Sequence, residues 1–434
     1  MAKRWLMGIM VAAVLLRVLA ALWMGDRVEV LPGVYDQVSY HTLAQRLLAG
    51  YGFTFAREWW PMTAAGQPTA HWSYLYTGYL VLTYAVFGVH PLVARLIQAI
   101  LAGVLMPLLV YRLARRVFAG RGEGVAVLAA GWVAFYGYFV YYAAALMTET
   151  FYILGILWVL NVSLELGQGD SGWRHWLELG LALAVTAVLR QVFLSFVPFL
   201  IGWLVGLRVA KNGWRTGLKI CLRGGALAAV VAGVLILPIT WHNYRTFGEF
   251  VLLNTNAGYA FFWANHPVQG WSFKPLYTAD MPSYQEVISP ELRQLNEAAL
   301  EKELLRLGLG FVWQEPLRYL VLCLTRIPAH FIFWPLSSSG WVSNVVRVLS
   351  FGVALPFMVA GIVRFVRHWR GQRMLIVWAQ PGTLLLLFMV VYVGVHLASW
   401  AGIRYRLPTD AVALVFAAEA GLSLVGWARR RWQR

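Results

Sequence analysis

The chain has 434 residues, of which 60% are hydrophobic and 13% charged, with a mean hydropathy of +0.63. Soluble chains carry about 25% charged residues, so a secreted soluble enzyme, a DNA-binding protein and a disordered chain are excluded as whole-chain readings. The net charge of +17 comes from 36 Lys and Arg against 19 Asp and Glu. Because the basic residues cluster between apolar runs, they mark cytoplasmic loops and not a nucleic-acid partner.

The first element is an apolar run at 5–24 behind Lys3 and Arg4. It lacks a small-residue cleavage site and reads as a retained signal anchor. A span needs about 20 mostly apolar residues. By that measure further spans fall at 92–111, 124–142, 149–167, 174–190, 191–208, 218–240, 347–363, 375–399 and 408–428. Arg17 lies inside the first span and must snorkel or pair.

Two other apolar stretches, 72–88 and 316–334, are decided by charge. If 72–88 crossed, Arg112, Arg115, Arg116 and Arg121 would face outward, and so would Arg208, Lys211, Arg215, Lys219 and Arg223. The positive-inside bias rejects that arrangement. The stretch 316–334, with Arg318, Arg326 and His330 among apolar residues, suits a helix lying in the interface.

The resulting expectation is all-α: a single polytopic transmembrane domain over 1–434, with about ten spans plus juxtamembrane helices. Both termini are cytoplasmic. Two larger segments, 25–91 and 243–346, lie on the outer face. Cys221 and Cys323 fall on opposite faces and form no disulfide. The setting expected is the inner membrane of a bacterium.

Asp36 opens a stretch whose apolar positions 40, 43, 44, 47 and 48 have helical spacing. It is either the N-cap of a juxtamembrane helix or a catalytic carboxylate. Glu149 begins a span at the outer face, where an ionisable group is a functional candidate, although a carboxylate there also complements the helix dipole. Arg404 and Arg406 flank Tyr405 against the charge bias. Arg190 sits in a short turn between spans, and Arg245 follows Asn243 and Tyr244 where a span exits. The glutamates 286, 291, 297, 301 and 303 read as the solvated face of a helix at 290–307. The aromatics of the second outer segment, including Trp263 and Tyr277, suit the membrane interface or a sugar face.

Several motifs, in order along most of the chain, resemble the GT-C superfamily of membrane glycosyltransferases. These are Tyr35-Asp36-x3-Tyr40-x3-Ala44, Ser73-Tyr74-Leu75-Tyr76, Thr148-Glu149, Leu189-Arg190, Leu237-Pro238-x2-Trp241-x-Asn243-Tyr244, Asn265-His266-Pro267 and Arg404-Tyr405-Arg406-Leu407-Pro408. The similarity is to the bacterial branch that includes protein O-mannosyltransferases and lipid A aminoarabinose transferases. It implies the GT-C fold, a polyprenyl-phosphate-linked sugar as donor, and a glycan, lipid or protein hydroxyl as acceptor. Asp36 matches the family's loop aspartate and would be the general base. Glu149, Arg190, Asn243, Tyr244, Arg245, Arg404, Tyr405 and Arg406 would contact substrate. His71 falls where some members bind a metal, so His71, Glu149 and His266 form a candidate divalent-metal set. The departures are Gln191 in place of a proline and Thr148 in place of a second carboxylate.

Two other functions compete. A lipid-linked sugar carrier would place charges near mid-bilayer in broken or repeated spans. A glycan polymerase or ligase would work without the early-loop aspartate.

Overall fold

The computed structural model describes residues 1–31, 34–168, 172–274, 286–337 and 339–432. Tyr277 lies outside them. Helix α1 (Ala2–Met24) is the first span, and α2 (Asp36–Leu48) is the predicted juxtamembrane helix. After α3 (Tyr74–Phe87) come α4 (Pro91–Val117), α5 (Glu123–Phe135), α6 (Gly137–Ala144), α7 (Glu149–Gln168) and α8 (Trp173–Leu189). A 3₁₀ turn at Gln191–Phe196 feeds α9 (Val197–Asn212), and α10 (Trp214–Phe247) follows. The second large segment carries α11 (Ala257–Asn265), α12 (Glu297–Gln314) and α13 (Pro316–His330). Helices α14 (Trp341–Arg347) and α15 (Val353–Arg367) are joined by a π-turn at Val348–Gly352, and α16 (Met374–Ala379), α17 (Pro381–Ala398) and α18 (Ile403–Trp432) complete the bundle.

Among the described residues, eight helices are long and apolar enough to cross a membrane, or nine when α5 and α6 count as one bent span. The remaining predicted span, 174–190, is α8, a 17-residue helix packed against α7 and α10. The expected all-helical membrane architecture of about ten spans is therefore observed. Residues 72–88 form the short α3, and 316–334 form α13.

The expected straight span at 124–142 bends by 52° between α5 and α6. A break inside hydrocarbon frees backbone carbonyls that have no water to bind. Arg17 meets them: its guanidinium donates to the carbonyls of Val133 and Ala134 at 3.0 Å. Gln98 and Arg95 do the same at the end of α6, donating to the carbonyls of Ala143, Ala144 and Ala145. Arg17 thus pairs with backbone and does not snorkel.

Close helix approach in the bundle uses small residues, as expected where burial alone gives no driving force between spans. A Cβ on Gly103 of α4 would stand 2.7 Å from the Cα of Val14 on α1, and Gly361 of α15 lies against the carbonyl of Phe416 on α18. Helix α13 is amphipathic in reverse. Arg318, Leu322, Arg326 and His330 face the protein, while Leu317, Leu320 and Leu324 are exposed. The inward guanidiniums donate to carbonyls that end α11 and α17, those of Ala264, Asn265 and Leu397.

The glutamates of the second segment divide: Glu286 and Glu291 are exposed as expected, whereas Glu297 and Glu301 turn inward. Glu297 is buried and ties three strands of chain together. It accepts from the Ala70 amide at 2.7 Å and from the hydroxyls of Thr255 and Thr63 at 2.5 and 2.9 Å. Glu301 accepts from the Gly258 amide at 2.9 Å. Burial pushes its carboxyl up to about 7, against the opposing pull of the amides at the start of α11. Glu303 also faces solvent, paired with Arg306. A buried glutamate and a solvated one share the same helical periodicity when the partner chain is unknown.

Candidate functional site

Four charged side chains from distant parts of the chain converge at one end of the bundle. Asp36 begins α2, but it does not cap it: Tyr35 is the N-cap residue, and no side-chain cap is formed. The Asp36 carboxylate points instead to Arg404, whose Nη1 donates to Oδ1 at 2.7 Å. The same guanidinium nitrogen lies 3.8 Å from Oε1 of Glu149. That oxygen also accepts from Nη2 of Arg190 at 2.5 Å, and Arg190 Nε donates to the Thr148 hydroxyl at 2.9 Å. Two carboxylates and two guanidiniums therefore form one charge-balanced quartet.

Burial is graded across the quartet. The Glu149 side chain is 2% exposed, Asp36 13%, Arg190 16% and Arg404 21%. The group is dry enough for electrostatics to count and open enough on the Asp36–Arg404 side to meet a ligand. Oε2 of Glu149 is buried with no hydrogen-bond partner among the described residues.

Aromatic rings fix the arginines. The Tyr405 ring lies 4.9 Å from the Arg404 guanidinium and 5.6 Å from that of Arg190, and its hydroxyl accepts from Arg404 Nη2 at 2.8 Å. Tyr405 stacks on His396, whose Nδ1 is 3.1 Å from the Trp400 carbonyl. Tyr152, one helical turn beyond Glu149, also faces Arg190. Sequence reading missed Tyr152 and His396. The i+3 spacing from Glu149 could have found the first. Nothing local marks the second.

The other candidates are placed elsewhere. Arg406 is fully buried two residues past Arg404. It donates to both oxygens of Asp410 at 3.1 Å and to the carbonyls of His330 and Ile332. A two-residue step on a helix turns about 200°, so Arg406 faces the interior and not the quartet. Asn243 is buried and secures the backbone after α10, donating to the carbonyls of Val251 and Leu253 and accepting from Tyr74. Tyr244 is half-exposed, and Arg245 rests on Trp241 outside the cluster. His41 is paired with the Tyr84 hydroxyl.

The metal candidates are not brought together. His71 engages the Thr255 carbonyl through Nδ1, and burial holds its pKa below the usual imidazole value. His266 accepts from the Val268 amide, and burial beside Arg318 lowers it to about 4. Glu149 belongs to the arginines. No group of three His, Cys, Asp or Glu residues with metal-binding geometry occurs among the described residues, so this set does not fit a metal ion.

Residues 75–241 match the family model described as dolichyl-phosphate-mannose-protein mannosyltransferase. No curated protein matches the chain. Among solved structures the chain is similar to the archaeal oligosaccharyltransferase AglB from Archaeoglobus fulgidus, in complex with an inhibitory peptide and a dolichol-phosphate. The identity is 18% and the TM-score 0.58, covering 99% of this chain and 51% of that one. The apo form of the A. fulgidus enzyme gives 15% and 0.60, with 99% and 52% covered. ArnT from Cupriavidus metallidurans bound to undecaprenyl phosphate matches at 16% and 0.44, with 97% and 78% covered. This chain thus spans about half the length of the archaeal enzyme it resembles. The fold is one shared with the archaeal oligosaccharyltransferase along almost the whole of this chain.

Proposed function

We propose that this chain is an inverting glycosyltransferase, with a polyprenyl-phosphate-linked sugar as donor and a hydroxyl of a glycan, lipid or protein as acceptor. The observation that carries the reading is the convergence of Asp36, Glu149, Arg190 and Arg404 at one end of the bundle. A carboxylate that can take a proton stands beside guanidiniums that can hold a phosphate, on a fold shared with enzymes of this class.

The chemistry follows from those groups. The acceptor oxygen attacks the anomeric carbon while Asp36 removes its proton. A carbon–oxygen bond forms, the anomeric carbon–phosphate oxygen bond breaks, and the electron pair stays on the phosphate. The leaving group is already a stable anion, so the second carboxylate of an ordinary glycosidase acid–base pair is not required. The charge developing on the phosphate falls on Arg190 and Arg404, whose planar forks suit it. Glu149 holds those forks in place. No step is routed through a metal, because the candidate ligands do not assemble.

The site lies at the outer face of a bacterial inner membrane in this reading. Its end of the bundle is opposite the basic clusters at Arg112–Arg116 and Arg364–Arg373, which the positive-inside bias assigns to the cytoplasm along with both termini.

Purified protein incubated with a labelled polyprenyl-phosphate sugar is expected to release polyprenyl phosphate, with the sugar moved to an acceptor or slowly to water. Intact donor after prolonged incubation, in the presence of cell-envelope extract, overturns the reading.

A further inference from the structure

The quartet has a consequence for the order of events. Two carboxylates and two guanidiniums leave no spare positive charge at the site. Arg190 is committed to Glu149 and Thr148, both of which are deeply buried. Arg404 is the more exposed guanidinium, and its short contact is with Asp36 at 2.7 Å, on the open side. Among the described residues of the quartet an arriving phosphate therefore has Arg404 as its readily available cation, and that cation is already holding the residue read as the base. The guanidinium engages Oδ1 alone, but a positive charge held against a carboxylate favours its ionised form and makes both oxygens weaker acceptors for an acceptor's proton.

We propose that Arg404 is a donor-operated latch: it sequesters Asp36 in the empty site and exchanges that carboxylate for the donor phosphate, which frees the base once the sugar is in place. The inference rests on the glycosyltransferase reading. Arg404 has the means to switch. Its second contact with Glu149 is 3.8 Å, long enough to shorten or open, and the Tyr405 ring gives its flat face a fixed support through the exchange. After the switch Arg404 remains within reach of Glu149, so the arginine and the deeply buried glutamate stay paired. The acceptor then meets an active base only in the presence of a bound donor, and the kinetic order is donor first.

The latch makes a prediction that a base without competition does not. If Asp36 and the phosphate compete for Arg404, removing the Asp36 charge strengthens phosphate binding. Undecaprenyl phosphate alone, titrated against protein in detergent, is the probe. Asp36→Asn is expected to bind it about tenfold more tightly than wild type, a difference within the range of close charge pairs. In an Arg404→Gln background the same Asp36→Asn change is expected to have no effect. Arg404→Lys, which keeps the charge without the planar fork, should retain part of the tightening. Equal or weaker binding by Asp36→Asn overturns the latch while leaving the glycosyltransferase reading intact. Tightening that persists in Arg404→Gln also overturns it, since the competition would then lie elsewhere. Absence of binding to every variant overturns the glycosyltransferase reading and the latch with it.

Discussion

Asp36→Asn lowers sugar transfer by roughly 10²–10⁴-fold, the range attributed to a positioned general base, while the donor still binds. The substitution is nearly isosteric and removes the charge alone. It does not strip α2 of a cap, because the capping position is Tyr35. It does not strand Arg404 either, since Glu149 remains 3.8 Å away. The folded yield and melting temperature are therefore expected to stay close to wild type, and the loss appears in kcat. If transfer instead continues at wild-type rate, Asp36 is a structural partner of Arg404 and the base lies elsewhere.

Arg406→Ala is expected to act on folding. Its guanidinium is enclosed with Asp410, and the Tyr136 hydroxyl donates to the same carboxylate at 2.7 Å. Deleting the arginine leaves a charged carboxylate and two carbonyls in a dry interior. Breaking such a pair from one side typically destabilises by about 3–5 kcal/mol, a large fraction of the total stability of a domain. Denaturant titration of the detergent-solubilised protein checks this. Arg406→Met combined with Asp410→Leu should recover much of the loss, since removing both charges together is often neutral. Arg404→Ala, two residues earlier, is expected to spare stability and reduce transfer. A stable, correctly folded but inactive Arg406→Ala protein would instead make Arg406 a substrate-binding residue.

That contrast also shows where sequence reading ended. The Arg-Tyr-Arg motif identifies both arginines as candidates, and only the helix phase separates them. Helix α18 begins at Ile403, five residues before the span boundary expected from hydropathy. With the motif placed ahead of a span starting at 408, no helical periodicity was applied to it. Glu149, Arg190 and Arg404 were candidates because each is a charge at the end of a span, where an ionisable group is costly without a role, and Asp36 because its motif resembles the GT-C loop aspartate. Their mutual contacts were not legible, since they join positions up to 368 residues apart.

The bend at Tyr136 was hidden for a related reason. Hydropathy averaged over a span is blind to a break whose freed carbonyls are met by Arg17, Gln98 and Arg95 from other helices. The spans themselves needed no such information, because backbone self-satisfaction in lipid forces an apolar run of that length into a helix. Glu297 followed the same pattern as Arg406. Its helix was legible, but its burial depends on Ala70 and Thr63, contributed by the other large segment.

The most direct test of the central claim is a structure of the protein with undecaprenyl phosphate bound. The account predicts a phosphate oxygen about 2.7–2.9 Å from the Arg404 guanidinium, on the side facing Arg190. It further predicts the Asp36–Arg404 contact opened beyond its present 2.7 Å. A phosphate bound at the opposite, basic end of the bundle, with the quartet closed, would contradict it.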